Sequence, residues 1–260
     1  MTILDKLADY ARFRVIQAKK IIPLEEIRRQ AESLPKGEYS FENALKTSDI
    51  AFICECKRAS PSKGIIASKF PYLQIAKEYE SAGANCISVL TEPKWFLGSD
   101  KYLEEIAAAV TLPCLRKDFN VDPYMIYEAK VLGAQGVLLI CSISNEMEIE
   151  SYITICDDLG ISALVEVHNE KEVELALNGG ARIIGVNNRN LKDFSIDSNN
   201  SRRLRELIPP DVLFVSESGV TCSDDVEKLR KIGADAVLIG EALMKAEDKK
   251  AKLAELRGVL

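Results

Sequence analysis

SAGANCISVL (81–90), VLGAQGVLLI (131–140), NGGARIIGVN (178–187) and KIGADAVLIG (231–240) are four versions of one junction. Each reads as a helix end, a glycine, an alanine and then a short apolar run. Glycine just past a helix accepts the left-handed conformation that closes the last turn, and an apolar run suits a strand buried on both faces. DDLGISALVEV (157–167), through Gly160, is a variant of the same junction.

Outward from these junctions, eight apolar runs are predicted as strands: Ala51 to Lys57, Cys86 to Thr91, Leu112 to Lys117, Gly136 to Ser142, Ser162 to His168, Arg182 to Asn187, Leu213 to Ser218 and Ala236 to Gly240. Helical stretches lie between them, among them Tyr72 to Ala82, Pro123 to Leu132, Glu146 to Leu159 and Ser223 to Ile232. Strict alternation implies parallel strands, and eight units in 260 residues favour a closed (β/α)8 TIM barrel, which takes ~250 residues, over an open doubly wound sheet. No GxGxxG follows the first strand, as the open dinucleotide-binding sheet would require. The expectation is one domain, 1–260, whose residues 1–50 form an N-terminal helical extension. Ile3 to Leu34 is helical in pattern with a break at Ile22-Pro23-Leu24. Such an extension either caps one end of the barrel or covers its mouth.

Composition narrows the function. Lys and Arg number 34 against 40 Asp and Glu, a net charge of −6, and no long basic tract exists, so nucleic acid is excluded as the expected partner. Asp5, Lys6, Asp9, Arg12 and Arg14 fall where a signal peptide needs an apolar core, and no apolar stretch approaches the ~20 residues of a membrane span. A soluble, cytoplasmic protein is expected. The seven cysteines are an odd number set mostly in apolar runs and read as reduced core residues. Cys54-Glu55-Cys56 has no CxxC and only one histidine in the chain to complete a zinc site, so no metal is expected.

Charges inside buried strands demand a reason, because an unpaired buried charge costs several kcal/mol. The period of two puts Ile53, Glu55 and Lys57 on one face of the first strand and the two cysteines on the other. The same alternation aligns Leu115 with Lys117, Leu164 with Glu166 and His168, Ile183 with Gly185 and Asn187, and Val215 with Glu217. Glu55, Lys57, Lys117, Glu166, Asn187 and Glu217 therefore converge on the carboxyl-terminal mouth, where barrels of this kind place their catalytic groups. An ion-paired plug would explain any one of them; convergence of six points to function. Glu217-Ser218-Gly219 and Ile239-Gly240-Glu241 end the seventh and eighth strands, where barrel loops commonly hold phosphate through backbone N–H groups.

ECKRASPSKG (55 to 64 from Glu55), SVLTEPKWFLGS (88 to 99), RKDF (116 to 119), LVEVH (164 to 168), IGVNNRNL (184 to 191) and SESGV (216 to 220) resemble the indole-3-glycerol-phosphate synthases of tryptophan biosynthesis. The resemblance runs through all eight units and the extension, and the Glu-x-Lys followed by SPSKG is its most specific part. It implies a carbon–carbon lyase that acts on 1-(2-carboxyphenylamino)-1-deoxy-D-ribulose 5-phosphate. The products are indole-3-glycerol phosphate, carbon dioxide and water, and no cofactor is used. By resemblance, Lys117 is the general acid of ring closure and Glu166 the general base of dehydration. Lys57 contacts substrate and supplies a second acid, while Glu55, Asn187 and Glu217 orient the lysines and the anilino nitrogen. Ser218, Gly219, Gly240 and Glu241 hold phosphate through their backbone, Phe96 and Phe119 wall the anthranilate pocket, and Ser60 and Arg189 contact substrate oxygens. The partners implied are this small molecule and, as an option, other enzymes of the tryptophan pathway.

The chemistry asks for these residue types independently. Carbon attack on a carbonyl develops alkoxide charge, and an ammonium in a low-dielectric mouth is its natural proton donor. Leu97 departs from the family pattern, in which an amide or glycine is frequent, and this puts a polar contact there in doubt. Glu241 sets a carboxylate beside the phosphate site, which requires its side chain to turn away. His168 reads as structural, and Trp95 reads equally as loop packing or substrate contact. Two other readings stand: another phosphate-binding barrel, either a sugar-phosphate isomerase or a Schiff-base aldolase using Lys117 or Lys57, and a non-catalytic metabolite-binding barrel.

Overall fold

The computed structural model of the chain describes residues 2–190 and 193–258. The predicted strands form: β1 (Ala51–Cys56), β2 (Cys86–Leu90), β3 (Cys114–Lys117), β4 (Gly136–Ile140), β5 (Ser162–Val167), β6 (Ile183–Asn187), β7 (Leu213–Glu217) and β8 (Ala236–Ile239). All pair in parallel, each with its sequence neighbours, and β1 pairs with β8 to close a barrel. It is a (β/α)8 TIM barrel. Most strands end a residue or two before the apolar run does. Lys117 and Asn187, the last residues of their runs, stay in the ladder, paired with Leu90 and Glu217.

Two apolar layers follow from the alternation of side chains. Ile53, Leu115, Leu138, Leu164, Ile183, Val215 and Leu238 pack inside the barrel. Phe52, Cys54, Cys56, Val137, Val165, Ile184, Phe214 and Val237 face the surrounding helices. The cysteines of β1 thus lie outside the barrel, and the face that carries Glu55 lies within it, as the period of two requires. All seven cysteines are free thiols, and six of them are buried.

The extension is three helices, α1 (Ile3–Ile21), α2 (Leu24–Ser33) and α3 (Ser40–Leu45). Thr2 caps α1 in a reciprocal pair with Asp5, and Pro23 sets the break before α2. The two proposed roles of the extension are divided between its parts. Ile3, Leu4 and Leu7 of α1 reach the cavity at the carboxyl-terminal mouth. Helix α3, which the sequence pattern did not reveal, closes the opposite end. Its Phe41 meets Gly136 at the start of β4, its Glu42 backbone N–H donates to Ser162 Oγ at 3.1 Å, and Arg182 donates to the Glu42 carboxylate at 3.0 Å. Around the barrel run α4 (Tyr72–Ser81), α5 (Asp100–Ala109), α6 (Pro123–Val131), α7 (Glu146–Leu159), α8 (Glu170–Asn178), α9 (Asn199–Arg205) and α10 (Ser223–Lys231). After β8 come the short α11 (Glu241–Lys245) and α12 (Lys249–Arg257). Leu191, the last residue of IGVNNRNL, lies outside the described residues.

Candidate active site

The charged strand ends meet in one cavity of about 590 Å3, lined by Glu55, Lys57, Lys117, Glu166, Asn187 and Glu217 together with Ser60, Phe96, Phe119, Arg189, Ser218, Gly219, Gly240 and Glu241. Every site residue expected from the sequence is present there. Lys117 Nζ donates to Glu166 Oε2 at 2.9 Å and to Glu217 Oε2 at 2.8 Å, and Lys57 pairs with Glu55. Two glycines make room for this crowd. A Cβ at Gly185 would strike Glu217 Oε1, and one at Gly240 would strike Glu55 Oε1 and Lys57 Nζ.

Three carboxylates face two ammoniums, so the cluster cannot neutralise itself completely. Burial disfavours the charge on Lys117, but Glu166, Glu217 and Glu55 outweigh it and raise the pKa. Burial also opposes the charge on Glu166, yet Lys117, His168 and a hydrogen bond from Asn187 hold its carboxyl below the ordinary glutamate value. Glu217 takes the excess: burial, resisted by Lys117 and reinforced by Glu166 and Glu55, pushes its carboxyl up to about 7. Its Oε1 is buried without a hydrogen-bond partner among the described residues. The mouth therefore holds a firmly protonated lysine, a firmly ionised glutamate and a third group poised near neutrality, a pattern that marks functional sites.

One wall of the cavity is aromatic. The rings of Phe96 and Phe119 lie 6.1 Å apart at 43°. Phe96 is held by the buried Glu92, whose carboxylate accepts the backbone N–H groups of Lys94 (2.9 Å), Trp95 (2.7 Å) and Phe96 (2.9 Å). Trp95 turns to Tyr10 of α1, edge to face at 5.5 Å, and acts as loop packing. Leu97 has φ +52°, in the left-handed region that glycine and asparagine tolerate better than leucine.

The opposite side offers backbone and cations. After β7 the chain turns through Ser218 (φ +68°) and Gly219 (φ +92°), two left-handed residues in a row. Ser218 Oγ donates to Asn187 Oδ1 at 3.0 Å, and Asn188 Nδ2 donates to the Ser218 carbonyl at 3.1 Å, so the strained turn is held from β6. Asn187 Oδ1 also accepts the Arg189 backbone N–H at 3.0 Å. Gly240 precedes α11, and the Glu241 carboxylate accepts from Lys245 at 2.6 Å and stands 3.9 Å from Lys63. That engagement leaves the Glu241 backbone as the part suited to an anion.

Sequence reasoning missed the latch that fixes α1. The buried Asp118, next to Lys117, accepts from both terminal nitrogens of Arg14 (2.6 and 3.0 Å) and from Thr91 Oγ1 (2.6 Å). A buried acid announces that a cation is needed. Arg14 lies 104 residues away, beyond the reach of any local spacing. Among the described residues no three His, Cys, Asp or Glu side chains are placed to hold a metal ion.

An eight-stranded barrel with paired lysines and carboxylates, an aromatic wall and a rim of backbone and cations at its carboxyl-terminal mouth has the make-up of a TIM-barrel enzyme. Residues 4–256 match the family model described as indole-3-glycerol phosphate synthase. The indole-3-glycerol phosphate synthase of Ruminiclostridium cellulolyticum is 54% identical over 257 residues, 98% of this chain and 99% of that protein. That of Endomicrobium trichonymphae is 48% identical over 256 residues, 98% of this chain and 99% of its own. Among solved structures, 3-hexulose-6-phosphate synthase from Salmonella typhimurium superposes with a TM-score of 0.67 at 15% identity, covering 81% of this chain and 98% of that one; this likeness concerns the fold. The chain belongs to the indole-3-glycerol phosphate synthase family, and with it to the carboxy-lyases of tryptophan biosynthesis.

Proposed function

We propose that the chain converts 1-(2-carboxyphenylamino)-1-deoxy-D-ribulose 5-phosphate to indole-3-glycerol phosphate, carbon dioxide and water, with Lys117 as general acid and Glu166 as general base. The observation that carries the reading is the Lys117 ammonium held between Glu166 and Glu217 in a pocket with an aromatic wall. The anthranilate ring lies against Phe96 and Phe119, and the phosphate lies at the backbone of Ser218, Gly219, Gly240 and Glu241. Attack of the ring carbon on the sugar carbonyl develops an alkoxide, and Lys117 protonates it. Carbon dioxide then leaves. Glu166 removes the proton that lets water depart, while Lys57, steered by Glu55, donates to the leaving hydroxyl. Asn187 and Glu217 hold the lysine and the anilino nitrogen in line, and Ser60 and Arg189 contact substrate oxygens.

A Schiff-base aldolase needs a neutral lysine amine, usually obtained by lowering its pKa. The three carboxylates around Lys117 act in the opposite sense. Borohydride with a carbonyl substrate is therefore expected to leave the protein unmodified. The chain works as one domain in the cytoplasm, residues 1–50 extending the barrel, where it is free to associate with other tryptophan-pathway enzymes. The test is incubation of purified protein with the anthranilate sugar phosphate: indole absorbance is expected to rise, and a flat trace with intact substrate refutes the assignment.

A further inference from the structure

The chain has one histidine, His168, the residue just past the end of β5 and two beyond Glu166. Its Nε2 stands 3.4 Å from Glu166 Oε1 and is buried without a hydrogen-bond partner among the described residues. Lys117 meanwhile holds the other oxygen, Oε2. The far edge of the ring is fixed. Nδ1 lies 3.1 Å from Glu172 Oε2, on α8, and 3.2 Å from Ser142 Oγ, just beyond β4. Glu172 also accepts the His168 backbone N–H at 2.8 Å and the Ser142 hydroxyl at 2.9 Å, so it is itself anchored.

This arrangement couples two protons. With a carboxylate as its neighbour, Nδ1 carries a hydrogen. A neutral ring then turns the lone pair of Nε2 to Glu166, which suits a protonated carboxyl and repels an ionised one. An imidazolium presents Nε2–H instead, which suits the carboxylate. We propose that His168 is a positioning residue for Glu166: held by Glu172, its imidazolium faces Oε1 with Nε2–H while Lys117 holds Oε2, which keeps the Glu166 carboxylate ionised and in place to take a proton from substrate. The inference rests on the assignment of Glu166 as base. The charged groups acting on the ring are Glu172 from α8, Glu166 from β5 and Glu217 from β7; Cys141 and Ser142, beyond β4, are neutral. Burial opposes the imidazolium, but these carboxylates outweigh it and raise the pKa of the ring. The imidazolium is therefore fully present at low pH and is lost as pH rises through that elevated pKa.

A single histidine makes the test direct, because one 15N-labelled imidazole signal can be titrated by nuclear magnetic resonance without ambiguity. The expected result is a ring pKa above the ordinary histidine value that falls in Glu166→Gln and falls in Glu172→Gln. An unmoved ring pKa in Glu166→Gln overturns the inference. Full turnover of Glu166→Gln would overturn the base assignment instead, so the two failures are distinguishable. In the kinetic arm, His168→Gln keeps a neutral N–H and loses the charge. The acid limb of its kcat/KM profile should move to higher pH, because an unsupported Glu166 protonates more readily. Its kcat should fall by less than the ~10²-fold expected for loss of the base itself, with KM little changed, and further in His168→Asn, which cannot reach Glu166. A His168→Gln profile superimposable on wild type contradicts the positioning role.

Discussion

Leu97 occupies the left-handed region at φ +52°, where a leucine pays about 1 kcal/mol that glycine avoids by lacking a Cβ and that asparagine offsets by local hydrogen bonding of its short side chain. Leu97→Asn is therefore expected to raise the denaturant midpoint by an amount equivalent to about 1 kcal/mol; a lower midpoint would mean that packing of the half-buried leucine outweighs the strain. Glu217 carries a different cost. Its folded-state pKa of about 7 lies above that of an unfolded glutamate, so its contribution is intact at low pH and is lost as pH rises from the unfolded value through about 7. Glu217→Gln removes that ionisation. The variant should gain stability relative to wild type at pH 8 but not at pH 5, while activity falls; equal differences at both pH values would refute the assignment of the excess charge to Glu217. At this scale the sequence was informative where the period of two operates. It placed Glu55, Lys117, Glu166 and Glu217 inside the mouth because a strand leaves no other choice. It was silent on Asp118 with Arg14 and on the backbone strain at Leu97, which depend on partners and dihedrals that no spacing encodes.

The strands were legible because buried parallel strands are apolar throughout and are introduced by a glycine, and Gly83, Gly133, Gly180 and Gly233 all adopt positive φ at those junctions. The division of the extension was not legible. Helix α3 has only 6 residues, entered through Tyr39 at φ +53°, and six residues show too little periodicity to be recognised. Its role as the lower plug matters for the experiment on α1. A chain starting near Gly37 keeps α3 and the barrel but loses Ile3, Leu4 and Leu7 from the cavity and Arg14 from Asp118. Such a truncation is expected to fold, as judged by circular dichroism, and to lose about tenfold or more in kcat/KM, because water entering the mouth weakens every charge interaction there. Full activity in that chain would show that α1 does not cover the working site.

For the molecule as a whole, the barrel core and the catalytic mouth are one construction: the same inward faces that supply Ile53, Leu164 and Val215 to the core supply Glu55, Glu166 and Glu217 one pleat higher. Packing at the base holds the charged groups rigid, and glycines at 185 and 240 give them space. The central claim is a division of labour in which Lys117 serves ring closure and Glu166 the dehydration that follows decarboxylation. Its most direct test is single turnover with labelled carboxyl release and indole absorbance recorded on one sample. Lys117→Ala should release neither carbon dioxide nor indole product, with a loss of at least ~10²-fold. Glu166→Gln should release carbon dioxide ahead of indole formation, with accumulation of an intermediate that lacks indole absorbance. Strict one-to-one appearance of carbon dioxide and indole at every time point, in a Glu166→Gln protein whose overall rate is clearly reduced, would contradict the account and place Glu166 at or before ring closure.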